Sequence, residues 1–180
     1  MFSKKIRLLG LLTLALALLV TGCSSKVNDV AVADIYAQIE AVIKADLEAN
    51  GVDLDEAEEE LPGYVRTDLL EGELRFVLAE EGLLDLDLIA EGVALQSMWN
   101  TSSTEILVIK AKDEAAAEQL SAALEQEKEL RLEQWATYLP NQREKVENTV
   151  IKVSGVHLLY ATYENPDQIE AAFDAVLQGE

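Results

Sequence analysis

The chain has 180 residues, with 34 acidic and 14 basic side chains, one histidine and one cysteine. A formal charge of −20 removes the electrostatic grip on which nucleic-acid binding depends, because phosphates are held by Lys and Arg. The lone cysteine excludes internal disulfides and multi-cysteine zinc or iron–sulfur sites, and an apolar fraction of 49% excludes wholesale disorder.

The N-terminus reads MFSKKIRLLGLLTLALALLVTGCSS. Lys4, Lys5 and Arg7 precede a 13-residue apolar run from Leu8 to Val20. Such a run is shorter than the roughly 20 residues that span a bilayer and fits the h-region of a signal peptide. It ends at Val20-Thr21-Gly22-Cys23, which resembles the lipobox of bacterial lipoproteins. The resemblance implies a signal peptide over 1–22, a diacylglyceryl thioether on Cys23, a short tether over 23–28 and a single domain over 29–180. The alternative is an ordinary secretory signal with an incidental thiol. Cleavage before Cys23 leaves 158 residues with 11 basic and 34 acidic side chains, a formal charge of −23. Anionic headgroups repel such a surface, so the membrane is expected to hold the chain through acyl groups on its extracytoplasmic face.

Asp29 to Asn50 places Ile35, Ile39, Val42, Ile43 and Leu47 at helical spacing, with Asn50-Gly51 as its stop. An acidic connector follows, closed by Pro62-Gly63. A second helix is predicted over Thr67–Glu81, and Asp85 or Asp87 caps a short helical turn ending at Gly92. Val93–Asn100 and Ile106–Lys112 read as a hairpin that sets Leu95, Ser97 and Trp99 opposite Ala111, Ile109 and Leu107. Asp113 caps a long helix to Leu139, which Pro140 ends. Asn148–Ser154 and Val156–Tyr163 form a second hairpin, with Lys152 meeting His157 on a polar face. Asn165-Pro166 opens a last helix, Pro166–Leu177. The predicted fold is α+β: an antiparallel sheet of two hairpins around a long helix, one face half-buried, with N- and C-terminal helices packed on it.

Glu105-Ile-Leu-Val-Ile-Lys-Ala-Lys-Asp113, the long helix ending Tyr138-Leu139-Pro140, and Asn148-Thr-Val-Ile-Lys-Val-Ser-Gly155 together resemble the domain-of-unknown-function family 4358, small lipoproteins of Gram-positive bacteria. The likeness implies a secreted, lipid-anchored domain and no assigned activity.

Three features invite chemistry. His157 could serve a hydrolase with one of Ser97, Ser102, Ser103 or Ser154, yet no G-x-S-x-G elbow occurs and a surface position is expected. Acidic residues 53–60 could hold a divalent cation weakly, but Ala57 and Glu58 fall where an EF-hand loop needs an oxygen ligand and glycine. On the long helix, Glu127 and Arg131 share the stripe of Ala117, Leu120, Leu124, Trp135 and Tyr138. Charges on that stripe are either paired under cover or exposed in a groove near Trp135 and Tyr138, which would take a ligand or partner. No P-loop, G-x-G-x-x-G or H-E-x-x-H is present, and no catalytic set, cofactor or metal site is predicted. The functional expectation is a non-catalytic binding or accessory module at the cell envelope, its partner an envelope protein or small ligand. A small hydrolase and a weak cation binder are the alternatives.

Overall fold

Ile106-Leu-Val-Ile109 and His157-Leu-Leu-Tyr-Ala-Thr162 leave no position for water on either side of a strand, and that decides the layering. The computed structural model describes residues 30–54, 61–72, 77–80 and 82–179. The signal peptide expected over 1–22, Cys23 and residues 55–60 of the acidic connector lie outside the described residues. In chain order the elements are α1 (Val32–Ala49), β1 (Tyr64–Asp68), a 3₁₀ turn (Leu86–Leu88), β2 (Ile89–Ser97), β3 (Glu105–Ala111) and α2 (Glu114–Trp135). They continue with α3 (Pro140–Glu147), β4 (Val150–Ser154), β5 (His157–Thr162) and α4 (Pro166–Gln178). The five strands pair antiparallel in the order β1-β2-β3-β5-β4, giving an α+β fold.

Successive side chains of a strand point to opposite faces. Ile106, Val108, Leu159 and Ala161 therefore meet Ile35, Ile39 and Ile43 of α1 and Ile169 and Phe173 of α4. Leu107, Ile109, Leu158 and Tyr160 meet Ala117, Leu120 and Leu124 of α2. The half-buried sheet expected from sequence is not what forms. The terminal helices cover one face and the long helix covers the other, so the inner strands carry continuous apolar runs.

Both hairpin registers differ from expectation. Met98–Thr104 form a long β2–β3 connection, which puts Gln96 opposite Glu105 and Leu95 opposite Ile106. An odd shift of register exchanges faces, so Leu95 joins Ile106 and Val108, while Trp99 leaves the sheet and is 68% exposed. In the second hairpin Gly155, at φ 59°, and Val156 form the turn, so Ser154 faces His157 and Lys152 faces Leu159. This shift is even and preserves the faces.

The helix expected over Thr67–Glu81 is replaced, where described, by the end of β1 and a turn. Asp68 Oδ1 accepts from the amides of Leu70 and Glu71 at 2.8 and 3.2 Å, and its carbonyl accepts from Gly72. Asp85 caps only the 3₁₀ turn, and Gly92 lies inside β2. A Cβ there would stand 2.7 Å from Leu69 Cδ1, so glycine permits that close approach. Asp113 Oδ1 caps α2 by accepting from Ala116 N at 2.8 Å. The helix stops at Trp135, and Pro140 begins α3 instead of merely ending α2. Among the described residues no helix is long and apolar enough to cross a membrane.

Candidate functional site

The two ends of the sheet differ in chemistry. At one end the last residues of β2 and β5 meet the first residue of β3. There Glu105 shares the parity of Leu107 and Ile109, so its carboxylate points toward α2. Arg131 of α2 receives it in a bidentate pair, Nε donating to Oε2 at 3.1 Å and Nη2 to Oε1 at 3.2 Å. One helical turn earlier, Glu127 Oε1 lies 2.7 Å from the same Nε.

This charged centre fastens a third piece of chain. Both Glu127 oxygens accept from Ala79 N at 2.9 and 3.0 Å, and Val77 O accepts from Arg131 Nη2 at 2.9 Å. Gln96 Nε2, from β2, donates to the same carbonyl at 2.8 Å and to Glu105 at 3.3 Å. Glu127 is wholly covered and the Arg131 side chain is 16% exposed. The pair that sequence places on a core-facing stripe is thus paired under cover. Trp135 is also buried, 6.0 Å from the exposed ring of Tyr138. Glu105 and Gln96 escape helix-wheel reasoning because they arrive from strands; a lone acid opening an apolar strand was their one signal.

Two carboxylates here share one guanidinium. Burial pushes Glu105 up to about 7; Arg131 pulls it back, and the negative charge of Glu127 adds to the rise. Burial raises Glu127 as well, while Arg131 and the Ala79 amide oppose the rise. Burial works against the charge on Arg131, but its two acidic partners outweigh this and hold it above the usual arginine range. With its donors committed, the centre clamps Val77–Ala79 to α2 and offers no free nucleophile.

Beside it the β2–β3 connection is bonded to α3. Ser103 N donates to Gln142 Oε1 at 2.8 Å, Ser103 Oγ to the Gln142 carbonyl at 3.2 Å, and Lys145 Nζ to Thr104 Oγ1 at 3.3 Å. Lys145 also pairs with Glu164 at 2.5 Å. Between α3 and the start of α4 lies a cleft of 780 Å³ whose walls include Asn141, Asn148, Tyr163, Asn165 and Gln168. Met98 and Trp99, on the connection, are 64% and 68% exposed.

The opposite end is where the described chain begins. His157 is fully buried there, not on the surface beside Lys152, because α1 covers that face of the sheet. Its Nε2 donates to the carbonyl of Val30 at 2.8 Å, and Glu91 accepts from Val32 N at 2.9 Å while pairing with Lys110. Burial holds the His157 pKa below its ordinary value, which keeps the ring neutral at pH 7. Among the described residues it bonds to no serine or carboxylate, and Nδ1 has no partner. Ser102 and Ser103 are bonded to Thr104 and Gln142 at the far end. Ser97 accepts from Trp99 N at that same far end. Ser154, although opposite His157 in the hairpin, makes no hydrogen bond to its ring, so among the described residues no histidine–serine pair is formed. Among the described residues no three His, Cys, Asp or Glu side chains converge as metal ligands.

Against protein-family models, residues 82–163 match the domain of unknown function DUF4358. That stretch is a DUF4358 domain. It contains β2 to β5, α2 and α3, and with them Glu105, Glu127 and Arg131 of the charged centre. The N-terminal helix α1, strand β1 and helix α4 lie outside the matched DUF4358 residues. Comparison with curated proteins and with solved structures found no match.

Proposed function

We propose that the protein is a lipoprotein of the bacterial envelope, anchored through acyl chains on Cys23, whose extracytoplasmic domain works by binding and not by catalysis. The observation that carries this reading is the placement of the only cysteine directly after Thr21-Gly22, at the exit of the Leu8–Val20 run. Two or more acyl chains, at about 0.8 kcal/mol per buried CH₂, hold a protein on a membrane durably.

The fold supports a direction for such an anchor. Six residues lie between Cys23 and Val30, so the two can be at most about 25 Å apart. Val30 is bonded to His157, which supports a reading in which that end of the sheet lies nearer the bilayer and the end with Trp99, Tyr138 and the cleft lies farther from it. An outward end with exposed aromatic side chains and a polar cleft suits recognition. The test is photo-crosslinking in cells with a probe replacing Trp99 or, as comparison, Val153 near the opposite turn. Selective adducts from position 99 are expected. Equal labelling from both positions, or a Cys23→Ser chain that stays equally membrane-bound and equally processed, would contradict the reading.

A further inference from the structure

The cleft between α3 and α4 has a composition that specifies its ligand. Five side-chain amides line it: Asn141, Gln142, Asn148, Asn165 and Gln168. Each pairs a donor and an acceptor at fixed spacing without net charge. Gln142 is oriented by the bonds from Ser103, and Lys145 is neutralised by Glu164. Glu144 and Asp167 remain as acceptors in the walls. The side chain of Asn165 makes no capping bond to α4 and is free to turn toward a ligand.

This set argues against most ligand classes. An anion meets three carboxylates and one paired lysine, on a chain of charge −20. An apolar ligand would bury amides without partners. A cation would use the two exposed carboxylates, which water and salt screen, and leave the amide donors unused. A sugar ring uses everything present. Its vicinal hydroxyls donate in pairs to a carboxylate or amide oxygen, and its acetamido group matches the amides.

We propose that this cleft binds a neutral glycan bearing hydroxyl and acetamido groups, with Asn165 and Gln168 reading its polar edge. The inference deepens the binding-module reading and rests on it for the outward position of the site.

The test uses the full chain in detergent micelles with chitotetraose as the probe. Saturation-transfer NMR and calorimetry are expected to show binding between about 10 μM and 1 mM, ordinary for a shallow polar site. Asn165→Ala with Gln168→Ala is expected to weaken it at least about ten-fold, since each buried bond to the ligand is lost. Both residues are exposed, so the melting temperature should be unchanged. No saturation transfer at about 5 mM probe would overturn the proposal. So would unchanged affinity in the double variant, or displacement of the probe by equimolar spermidine, which would assign the cleft to cations. Absent glycan binding alongside selective crosslinks from position 99 overturns the glycan site alone; absent crosslinks overturn the wider reading.

Discussion

Arg131 is the residue on which most local order converges. It neutralises two carboxylates and holds the Val77 carbonyl, so its removal leaves charge under cover rather than merely deleting a contact. Arg131→Ala is expected to cost about 3–5 kcal/mol, read as a lower urea midpoint at constant slope, whereas Arg131→Met together with Glu127→Leu and Glu105→Leu should recover much of that loss. Glu105 gives the molecule a pH signature. Its folded pKa, about 7, lies above the ordinary carboxylate value near 4.5, so the folded chain binds more protons than the unfolded chain between those limits. Its contribution is full below about 4.5 and fades as pH rises through about 7. His157 has the opposite sign: its folded pKa is depressed, so stability is lost as pH falls below its ordinary value near 6.5. Denaturation midpoints of the wild type and Glu105→Gln between pH 4 and 8 separate the two. The wild type is expected to lose stability relative to the variant on going from pH 4.5 to 7, and parallel curves would contradict the assignment.

At the scale of elements, what could be read from sequence followed the physics of each segment. Helices α1 and α4 were legible because each has one apolar stripe and a clear stop or start in Asn50-Gly51 and Asn165-Pro166. The strands were legible as strands, but not their registers. With both faces of Ile106–Ile109 covered, alternation carries no information, and the seven-residue connection through Trp99 has no turn signature that fixes its length. Helix α3 was hidden because PNQREKVE has almost no apolar periodicity, and its proline reads equally as the end of one helix or the first residue of another. β1 was mistaken because helical spacing further along, through Leu69 and Leu70, outweighed the strand-forming Tyr64, Val65 and Thr67. The charged centre was half legible: Glu127 and Arg131 are neighbours on one helix, while Glu105 needs the tertiary fold. Two substitutions test element-level packing. Asp113→Ala should cost about 1 kcal/mol by removing the cap of α2. Gly92→Ala should cost about 1–3 kcal/mol, because its methyl meets Leu69 across the β1–β2 approach. Hydrogen exchange should then quicken in β1 before it does in β5.

The whole molecule has a polarity along its strands. The end carrying Val30, Glu91 and His157 is where the described chain begins, and the end carrying the charged centre, the cleft and Trp99 lies a strand length away. Five or six residues of strand put roughly 17–20 Å between them. If the chain is anchored as proposed, the end farther from the tether is the part of the surface that would meet envelope components with least steric conflict from the bilayer. The strong negative charge is consistent with the proposed arrangement, since it would keep the flanks of the domain off anionic lipid while an acyl anchor held the chain nearby. All of this orientation depends on where the polypeptide is fixed. The most direct measurement is the intact mass of the N-terminal peptide of the protein isolated from its own membrane fraction. The expected result is a mature chain beginning at Cys23 and carrying diacylglyceryl on sulfur, lost in Cys23→Ser. A chain that retains residues 1–22, or that begins elsewhere with a free thiol at Cys23, would contradict it.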